Sequence, residues 1–367
     1  MAAPRTTVWN LDPHTRAKHE ILERYLEAWM PILSHGNFPK ILYIDGFAGP
    51  GEYSEGEDGS PIIALKTALK YQPPLRAQIY FFFVEKDKER ASHLDSLIKN
   101  MEVPRNFIPI VNGGVTFEDA FHRFYPEFAG PNDRLPPTFA FIDPFGWTGA
   151  PFSIVEKIMR HRSCEVFINF MYEEINRFLV HPDQVQNFDS YFGTEDWQSL
   201  ANISDSRERN RRLHDLYVSQ LHKQAGVKFV RSFEMKNKRG VTDYYLFYAT
   251  NNIVGLKKMK EAMWRVDEGG EFAFSDATDQ NQFVLFEKAP NYGLLQRQII
   301  SRFRGHPVSR GEIEHFVVTQ TAFRETHYKK QVLAPLETDG RLSVLNPPAA
   351  RGKGTFRDPN LTILIKA

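Results

Sequence analysis

Apolar residues recur at helical spacing from Ile21 through Leu22, Tyr25, Leu26, Trp29, Ile32 and Leu33. Ahead of them, Asp12-Pro13 offers a capping carboxylate and a first helical residue with no N–H to satisfy, so the pattern predicts an amphipathic helix ending near Gly36. Five short apolar runs follow, Ile41–Ile44, Ile79–Val84, Phe107–Val111, Phe139–Ile142 and Val166–Ile168, each closed by a polar or glycine-rich break. Runs of this kind predict buried strands. Helical stretches lie between several of them. Ser60-Pro61 leads into Ile62–Leu69, and Thr116 with Asp119 three residues on opens a run holding Phe121 and Phe124. Strands alternating with helices predict an α/β fold, a parallel sheet covered on both faces.

Beyond these runs the pattern changes. Ser206–Gln224 reads as a helix with Arg207, Arg209, Arg211 and Arg212 on one face and Leu213, Leu216, Tyr217 and Leu221 on the other. A hairpin is expected from Val227–Phe233 and Tyr244–Ala249, then a helix over Val254–Val266 and strand-like runs at Phe272–Phe274 and Phe283–Phe286. Lys288–Gly293 is the best linker, so the expected division is 1–290 for the sheet domain and 291–367 for a smaller module. That module reads as helices Leu294–Phe303, Ser309–Thr319 and Ala322–Leu336, then strands Leu342–Leu345 and Leu361–Ile365. Ser309 and Glu312 form a capping-box pair, and Asp339-Gly340 makes a turn. Three helices and a two-stranded wing are the order of a winged helix-turn-helix.

Composition narrows the class. With 367 residues, 42% hydrophobic and 25% charged, the chain is neither disordered nor collagenous, and it holds no apolar stretch long enough for a membrane helix. A lone cysteine, Cys164, has no partner for an internal disulfide, and no export segment opens the chain; the expected compartment is the cytoplasm. Net charge is only +1, yet residues 291–367 carry 12 Lys or Arg against 6 Asp or Glu. In that basic module Arg324, His327, Lys329 and Lys330 would face outward from the third helix, with Arg351, Lys353 and Arg357 on the wing. They form a candidate phosphate-contacting surface; the alternative is a docking module whose cations are merely solvated.

Candidate chemistry sits where the apolar runs stop, because ligands of an open parallel sheet bind beyond the carboxyl ends of its strands. Those positions are Asp45, Glu85, Asn112, Asp143 and Asn169. Helix capping and turn formation account for some of them. They account less well for the glycines in Asp45-Gly-Phe47-Ala-Gly49-Pro-Gly51, a turn that lets backbone approach a ligand closely, or for Glu85, an acid where a ribose diol would bind. A nicotinamide fold is a further reading, though it lacks the third glycine of its fingerprint and Glu85 lies 34 positions beyond Gly51, where about 20 is usual.

The segment Asp45–Gly51 resembles the first motif of class I S-adenosylmethionine-dependent methyltransferases, which reads Asp-x-Phe-x-Gly-x-Gly. The resemblance implies a Rossmann-like sheet with Gly49 and Gly51 along the methionine side of S-adenosylmethionine, Glu85 on the ribose, Asn112 near the adenine, and Asp45 and Phe47 also among the cofactor-binding residues. It also gives meaning to Asp143-Pro144-Phe145-Gly146-Trp147. Adenine amino-methyltransferases carry Asp/Asn-Pro-Pro-aromatic there, the acid and a backbone carbonyl holding the amine and the ring stacking on the base. Here Phe145 replaces the second proline, Gly146 stands at the aromatic position, and Trp147 is expected to supply the ring from one place later, unless it packs under the sheet rim. Cytosine carbon-5 methylation is excluded, since its nucleophilic cysteine is missing from this region and Cys164 reads as a core thiol.

A narrower resemblance covers most of the catalytic region. His14–Leu22 with Tyr25, Leu26 and Trp29, then Ile44–Gly51, Phe141–Thr148 and Met259–Trp264, are similar to the three-Cys-motif partner proteins. That family implies a separate partner bearing a radical-enzyme-like trio of cysteines. Lys18, on the first helix, stands where some amino-methyltransferases place a cofactor contact; it is otherwise a solvated helix lysine. The arginines of 207–212 and the cations of 236–239 flank a nucleic-acid groove or form a solvated face. The loop Glu52–Gly59 closes over the cofactor or is mobile. No histidine spacing suggests a metal. The leading expectation is methyl transfer to DNA or RNA, with Asp143, Pro144 and Trp147 around the acceptor. The alternative is an adaptor that kept the fold, lost the chemistry, and serves the partner and nucleic acid.

Overall fold

The computed structural model describes residues 6–36, 38–71, 74–267, 272–275 and 290–366. The chain divides into two compact units, one running up to Gly255 and rejoined at Phe274, the other made of Leu256–Ala273 and the C-terminal residues.

The first unit opens with α1 (Pro13–Ser34), whose start is fixed by the Asp12 carboxylate accepting from the Thr15 N–H at 2.8 Å. Then β1 (Lys40–Asp45), α2 (Ser60–Leu69), β2 (Gln78–Glu85), α3 (Lys88–Lys99), β3 (Phe107–Gly113), α4 (Phe117–Ala129), β4 (Thr138–Ile142), α5 (Phe152–Met159) and β5 (Cys164–Phe170) alternate along the chain. Three short helices follow, α6 (Tyr172–Phe178), α7 (Val185–Phe192) and α8 (Trp197–Ala201), in a stretch where the sequence pattern predicts none. Next come α9 (Ser206–Lys223), β6 (Phe229–Lys236), β7 (Thr242–Thr250), α10 (Ile253–Val266) and β8 (Ala273–Ser275).

These strands form one sheet in the order β3-β2-β1-β4-β5-β7-β6-β8. The first five run parallel, and β7 is antiparallel to both β5 and β6. The chain leaves β1 toward β2 on one side and later returns to β4 on the other, so a crevice opens beyond the carboxyl ends of β1 and β4. Both faces are buried because the strands have almost no polar alternation. Tyr43, Phe139, Phe141 and Phe167 line one face, under Tyr25 and Trp29 of α1; Tyr25 and Phe139 lie 5.1 Å apart, centroid to centroid. The other face packs Ile44, Val84, Ile142 and Val166 against Phe121, Phe124 and Phe152. Burying each such side chain contributes about 1.5–3 kcal/mol. Cys164 lies inside β5, its thiol pushed up to about 12 by burial.

The second unit contains α11 (Tyr292–Phe303), β9 (Pro307–Ser309), α12 (Arg310–Gln320), a wide π-type turn Lys329–Leu333, α13 (Ala334–Thr338), β10 (Leu342–Val344) and β11 (Thr362–Ile365). The three strands pair antiparallel in the order β10-β11-β9. The expected capping box is present: Ser309 Oγ accepts from the Glu312 N–H at 3.1 Å, and Glu312 Oε2 accepts from the Ser309 N–H at 2.9 Å. The helix expected over Ala322–Leu336 is not continuous. Helical turns begin only at His327, which leaves Arg324 in the preceding turn, and the Ala334 N–H reaches back to Lys329 O. Pro335 explains the widening, because it has no N–H to give and its ring crowds the carbonyl four residues earlier.

The boundary expected at 290/291 also moves. Lys260 of α10 donates to the carbonyls of Val317, Val318 and Thr321 at 2.9–3.0 Å, and Trp264 Nε1 donates to Ala322 O at 2.8 Å. These bonds cap the end of α12, so the division falls within α10, after Gly255. The strand expected at Phe283–Phe286 and the first linker residues, 288–289, lie outside the described residues.

Candidate functional site

The turn after β1 is shaped by two glycines in the left-handed region, Gly49 at φ +64° and Gly51 at φ +90°. A Cβ on Gly51 would come within 2.7 Å of Leu94, so side chains are excluded there by space as well as by conformation. The Gly49 N–H donates to Glu85 Oε2 at 2.9 Å, and the Asp87 N–H donates to Glu85 Oε1 at 2.7 Å. Asp87 also caps α3, accepting from the N–H groups of Glu89 and Arg90. The Glu85 carboxylate is thus fixed at the end of β2 with acceptor capacity on each oxygen still to spend. Burial raises its pKa.

Asp45 is fully buried at the end of β1. Burial pushes its carboxyl up to about 7, against the Ser60 hydroxyl and the Phe47 N–H, which favour the anion. Its Oδ2 has no hydrogen-bond partner, and neither does the buried Nδ2 of Asn112 on β3. Unsatisfied polar atoms of this kind are costly in a folded protein, and two at the carboxyl ends of β1 and β3, on either side of β2, mark places where a ligand or water would be held.

Asp143, just beyond β4, stands at the centre of a polar cluster. Lys18 Nζ of α1 donates to its Oδ2 at 2.5 Å, and Asn169 Nδ2 at the end of β5 donates to its Oδ1 at 2.6 Å. Lys18 is buried, so the solvated alternative for this residue is corrected. Next to it, His19 has its pKa pushed down to about 3 by burial and by Lys18, and its Nδ1 lacks a partner. Asn169 Oδ1 is likewise unpaired. Pro144 is buried beside Asp143. Trp147 does not face this cluster; its ring packs between Phe178 and Phe188, each 5.1 Å away, as the rim-packing alternative described. Phe145 instead stands 45% exposed.

Three further residues at this rim are not among the expected site residues. Trp9 lies over the glycine turn, with a Cβ on Gly49 coming to 3.8 Å of its ring, and it meets Tyr53 at 5.8 Å and Phe145 at 6.0 Å. Tyr53 also meets His19 at 5.8 Å. Trp9 lies in no periodic or motif-bearing segment, Tyr53 falls in the Glu52–Gly59 loop without a motif of its own, and His19 lies in the His14–Leu22 motif as one of several polar residues in the first turns of α1. A cavity of about 520 Å³, lined by Phe38, Lys40, Tyr80 and Arg134 among others, lies at the opposite, amino ends of the strands and touches none of these groups.

The expected phosphate contacts of the second unit fare unevenly. Arg351 makes a two-pronged salt bridge to Glu337, at 2.7 and 2.8 Å, with both side chains less than 10% exposed. Arg324 lies 3.8 Å from Glu261, and Lys329 lies 3.7 Å from Glu314. Lys330, Lys353 and Arg357 are exposed. Among the described residues there is no group of three or more His, Cys, Asp or Glu suited to a metal, and no helix long and apolar enough to cross a membrane.

No known family model matches the chain, and no curated protein matches it. Solved structures similar to it are distant. A Legionella pneumophila protein is 14% identical, with a TM-score of 0.39 over 65% of this chain and 85% of that one. A cyclopropane synthase of Mycobacterium tuberculosis is 10% identical, with a TM-score of 0.29 over 69% and 70%. The plantazolicin methyltransferase BpumL, solved in complex with SAH, is 10% identical, with a TM-score of 0.30 over 65% and 86%. Resemblance this remote leaves the assignment to the topology and side chains of the chain itself.

Proposed function

We propose that the protein binds S-adenosylmethionine at the carboxyl ends of β1–β4 and transfers its methyl group to nucleic acid. The observation that carries this reading is that the Gly49–Gly51 turn, the Glu85 it anchors and the partnerless atoms of Asp45 and Asn112 all lie at the carboxyl ends of β1, β2 and β3. These residues fit the cofactor: Glu85 has lone pairs left for a ribose diol, Asn112 has an amide hydrogen for the adenine, and the glycines admit the methionine portion. The nicotinamide reading is less well supported, because the antiparallel β7 between β5 and β6 departs from the all-parallel dinucleotide order.

When bound, S-adenosylmethionine supplies an activated methyl group on a sulfonium, so the protein has only to position the acceptor. Asp143 would do so, accepting a hydrogen bond from the acceptor with the lone pairs that Lys18 and Asn169 leave over. Lys18 is then a positioning residue that fixes the carboxylate. The second unit, as a winged helix-turn-helix, would add phosphate contacts through Lys330, Lys353 and Arg357. The three-cysteine-motif partner is part of the same reading and rests on the four sequence motifs alone.

The test is calorimetric titration with S-adenosylmethionine, its demethylated product and NAD, on the wild type and on Asp45→Ala and Glu85→Ala. Binding of the first two that is lost in both variants supports the cofactor; binding of NAD alone overturns it. One observation favours an adaptor without chemistry: both oxygens of Asp143 are already engaged within the chain. On that reading the wild type transfers no methyl group to DNA or RNA, with or without the partner.

A further inference from the structure

The motif at β4 lacks an aromatic at its fourth position, and Trp147 is packed away from Asp143. The chain nevertheless brings three other rings to this rim. Gly146, at φ +115°, turns the backbone after Phe145, whose ring projects outward. Trp9 meets Phe145 with ring planes 68° apart and meets Tyr53 with planes 88° apart. Trp9 is tied at several points. The Arg90 guanidinium lies 4.9 Å over its ring, Arg90 Nη2 donates to Thr6 O at 3.3 Å, and the Ser54 N–H donates to Trp9 O at 2.9 Å. Tyr53 belongs to the glycine-rich loop after β1, and its hydroxyl pKa is raised by burial and then by Asp143.

We propose that Trp9, Tyr53 and Phe145 form the acceptor site, which takes a planar nucleobase turned out of a single strand and stacks it beside Asp143. This inference rests on the methyltransferase reading and gives its acceptor a shape. Aromatic rings at a polar rim suit a nucleobase because every base has a π-face, and Asp143, two residues before Phe145 and close enough to Tyr53 to raise its pKa, would accept from an exocyclic amine or ring N–H. Enzymes that act on a base must take it out of the stack, and ready-made aromatic rings offset the lost stacking. Trp9 touches both the glycine turn, through Gly49, and the β4 loop, through Phe145, so its ring stands between the two.

The experiment uses the full chain with a single-stranded oligonucleotide carrying 2-aminopurine, made as DNA and as RNA, whose fluorescence reports stacking; calorimetry with S-adenosylmethionine runs in parallel. Trp9→Ala and Phe145→Ala should each weaken oligonucleotide binding by roughly 5- to 150-fold, the range that base–aromatic stacking supplies. S-adenosylmethionine affinity should hold within about twofold, and Trp9→Phe should keep most of the stacking signal. Phe38→Ala, which removes a ring 39% exposed at the other end of the strands, serves as the control and should behave as wild type. Phe145 is exposed, so its variant keeps the test decisive even if Trp9→Ala folds poorly.

Wild-type oligonucleotide affinity in both alanine variants overturns the proposal. Loss of S-adenosylmethionine binding in Trp9→Ala overturns it as well, since the ring would then roof the cofactor. A wild type that binds S-adenosylmethionine but neither oligonucleotide overturns the nucleic-acid reading together with this site. One that binds neither ligand overturns the methyltransferase reading itself.

Discussion

Two carboxylates, one in each unit, meet a buried or nearly buried cation at hydrogen-bonding distance and do different work: Glu337 is buried, whereas Asp143 is partly exposed. Glu337 accepts from Arg351 on both oxygens and from the Gly354 N–H at 2.7 Å, which ties the loop between β10 and β11 to α13. Its partners hold its pKa below the usual carboxylate range, Arg351 first. Asp143 also has both oxygens engaged, but the atoms around it are unfinished: Asn169 Oδ1 and His19 Nδ1 lack partners, and so does Asp45 Oδ2 at the neighbouring strand end. A closed pair of this kind supports a fold, whereas a cluster with unspent donors and acceptors is built to receive something. Substitutions at the two sites should therefore separate activity from stability.

The largest expected effect is on transfer. Asp143→Ala should lower the rate of methyl transfer to nucleic acid by about a hundredfold or more, because the acceptor loses its alignment, while S-adenosylmethionine affinity measured by calorimetry changes little. An Asp143→Ala protein that methylates like the wild type removes Asp143 from the site. Arg351→Ala should do the reverse. Leaving Glu337 buried without its cation costs about 3–5 kcal/mol, seen as a lower denaturant midpoint for the second unit, whereas the double change Arg351→Met with Glu337→Leu should recover much of it. If Arg351→Ala instead melts normally and loses nucleic-acid binding, the arginine is a contact after all and the comparison fails.

Asp45 sharpens the contrast through pH. Its carboxyl titrates at about 7 when folded and near 4 when unfolded, so the folded chain keeps the proton over that window while the unfolded chain releases it. Below about pH 4 both forms are protonated. Stability then falls as pH rises from about 4 to 7, by up to about 4 kcal/mol, and the loss is complete above that range. Asp45→Asn cannot ionise and should lack this part of the slope. Glu85 and Glu165 are shifted the same way by burial, so the informative quantity is the difference between wild type and variant stability across pH 4–8. Identical slopes would mean that Asp45 is ionised in the folded chain.

Much of the first unit is legible in the sequence because its signals are local. Asp12-Pro13 pairs a capping carboxylate with a proline suited to the first helical position, and short apolar runs bounded by polar breaks, such as Phe139–Ile142, suit a sheet covered on both sides. The polar residues that stop those runs then fall at the site by topology alone. What stayed hidden depends on residues far apart in the chain. Trp9 is held at the glycine turn by the Ser54 N–H on its carbonyl and the Arg90 guanidinium over its ring, from 45 and 81 positions further along the chain. Arg351 finds Glu337 across the loop, and Trp147 is drawn from the rim by Phe178 and Phe188, on helices with no clear periodic signal. The break at Pro335 was readable from its chemistry, since a proline inside a helical pattern commonly interrupts it.

The smallest effect separates cations that look equivalent in the sequence. Lys353 is exposed on the loop between β10 and β11, whereas Lys329 lies 3.7 Å from Glu314, itself paired with Lys257 at 3.1 Å. A lysine that contacts a phosphate releases a counterion on binding, so its loss should lower the salt dependence of nucleic-acid affinity by about one unit of slope. Lys353→Ala should show this change, with weakening spread evenly over sequences. Lys329→Ala should change the slope much less, because part of its charge is already answered inside the protein. Measuring affinity over a range of salt for both variants decides it: equal slopes for Lys353→Ala and wild type would mean that the basic face of the second unit is solvated rather than seated on a phosphate backbone.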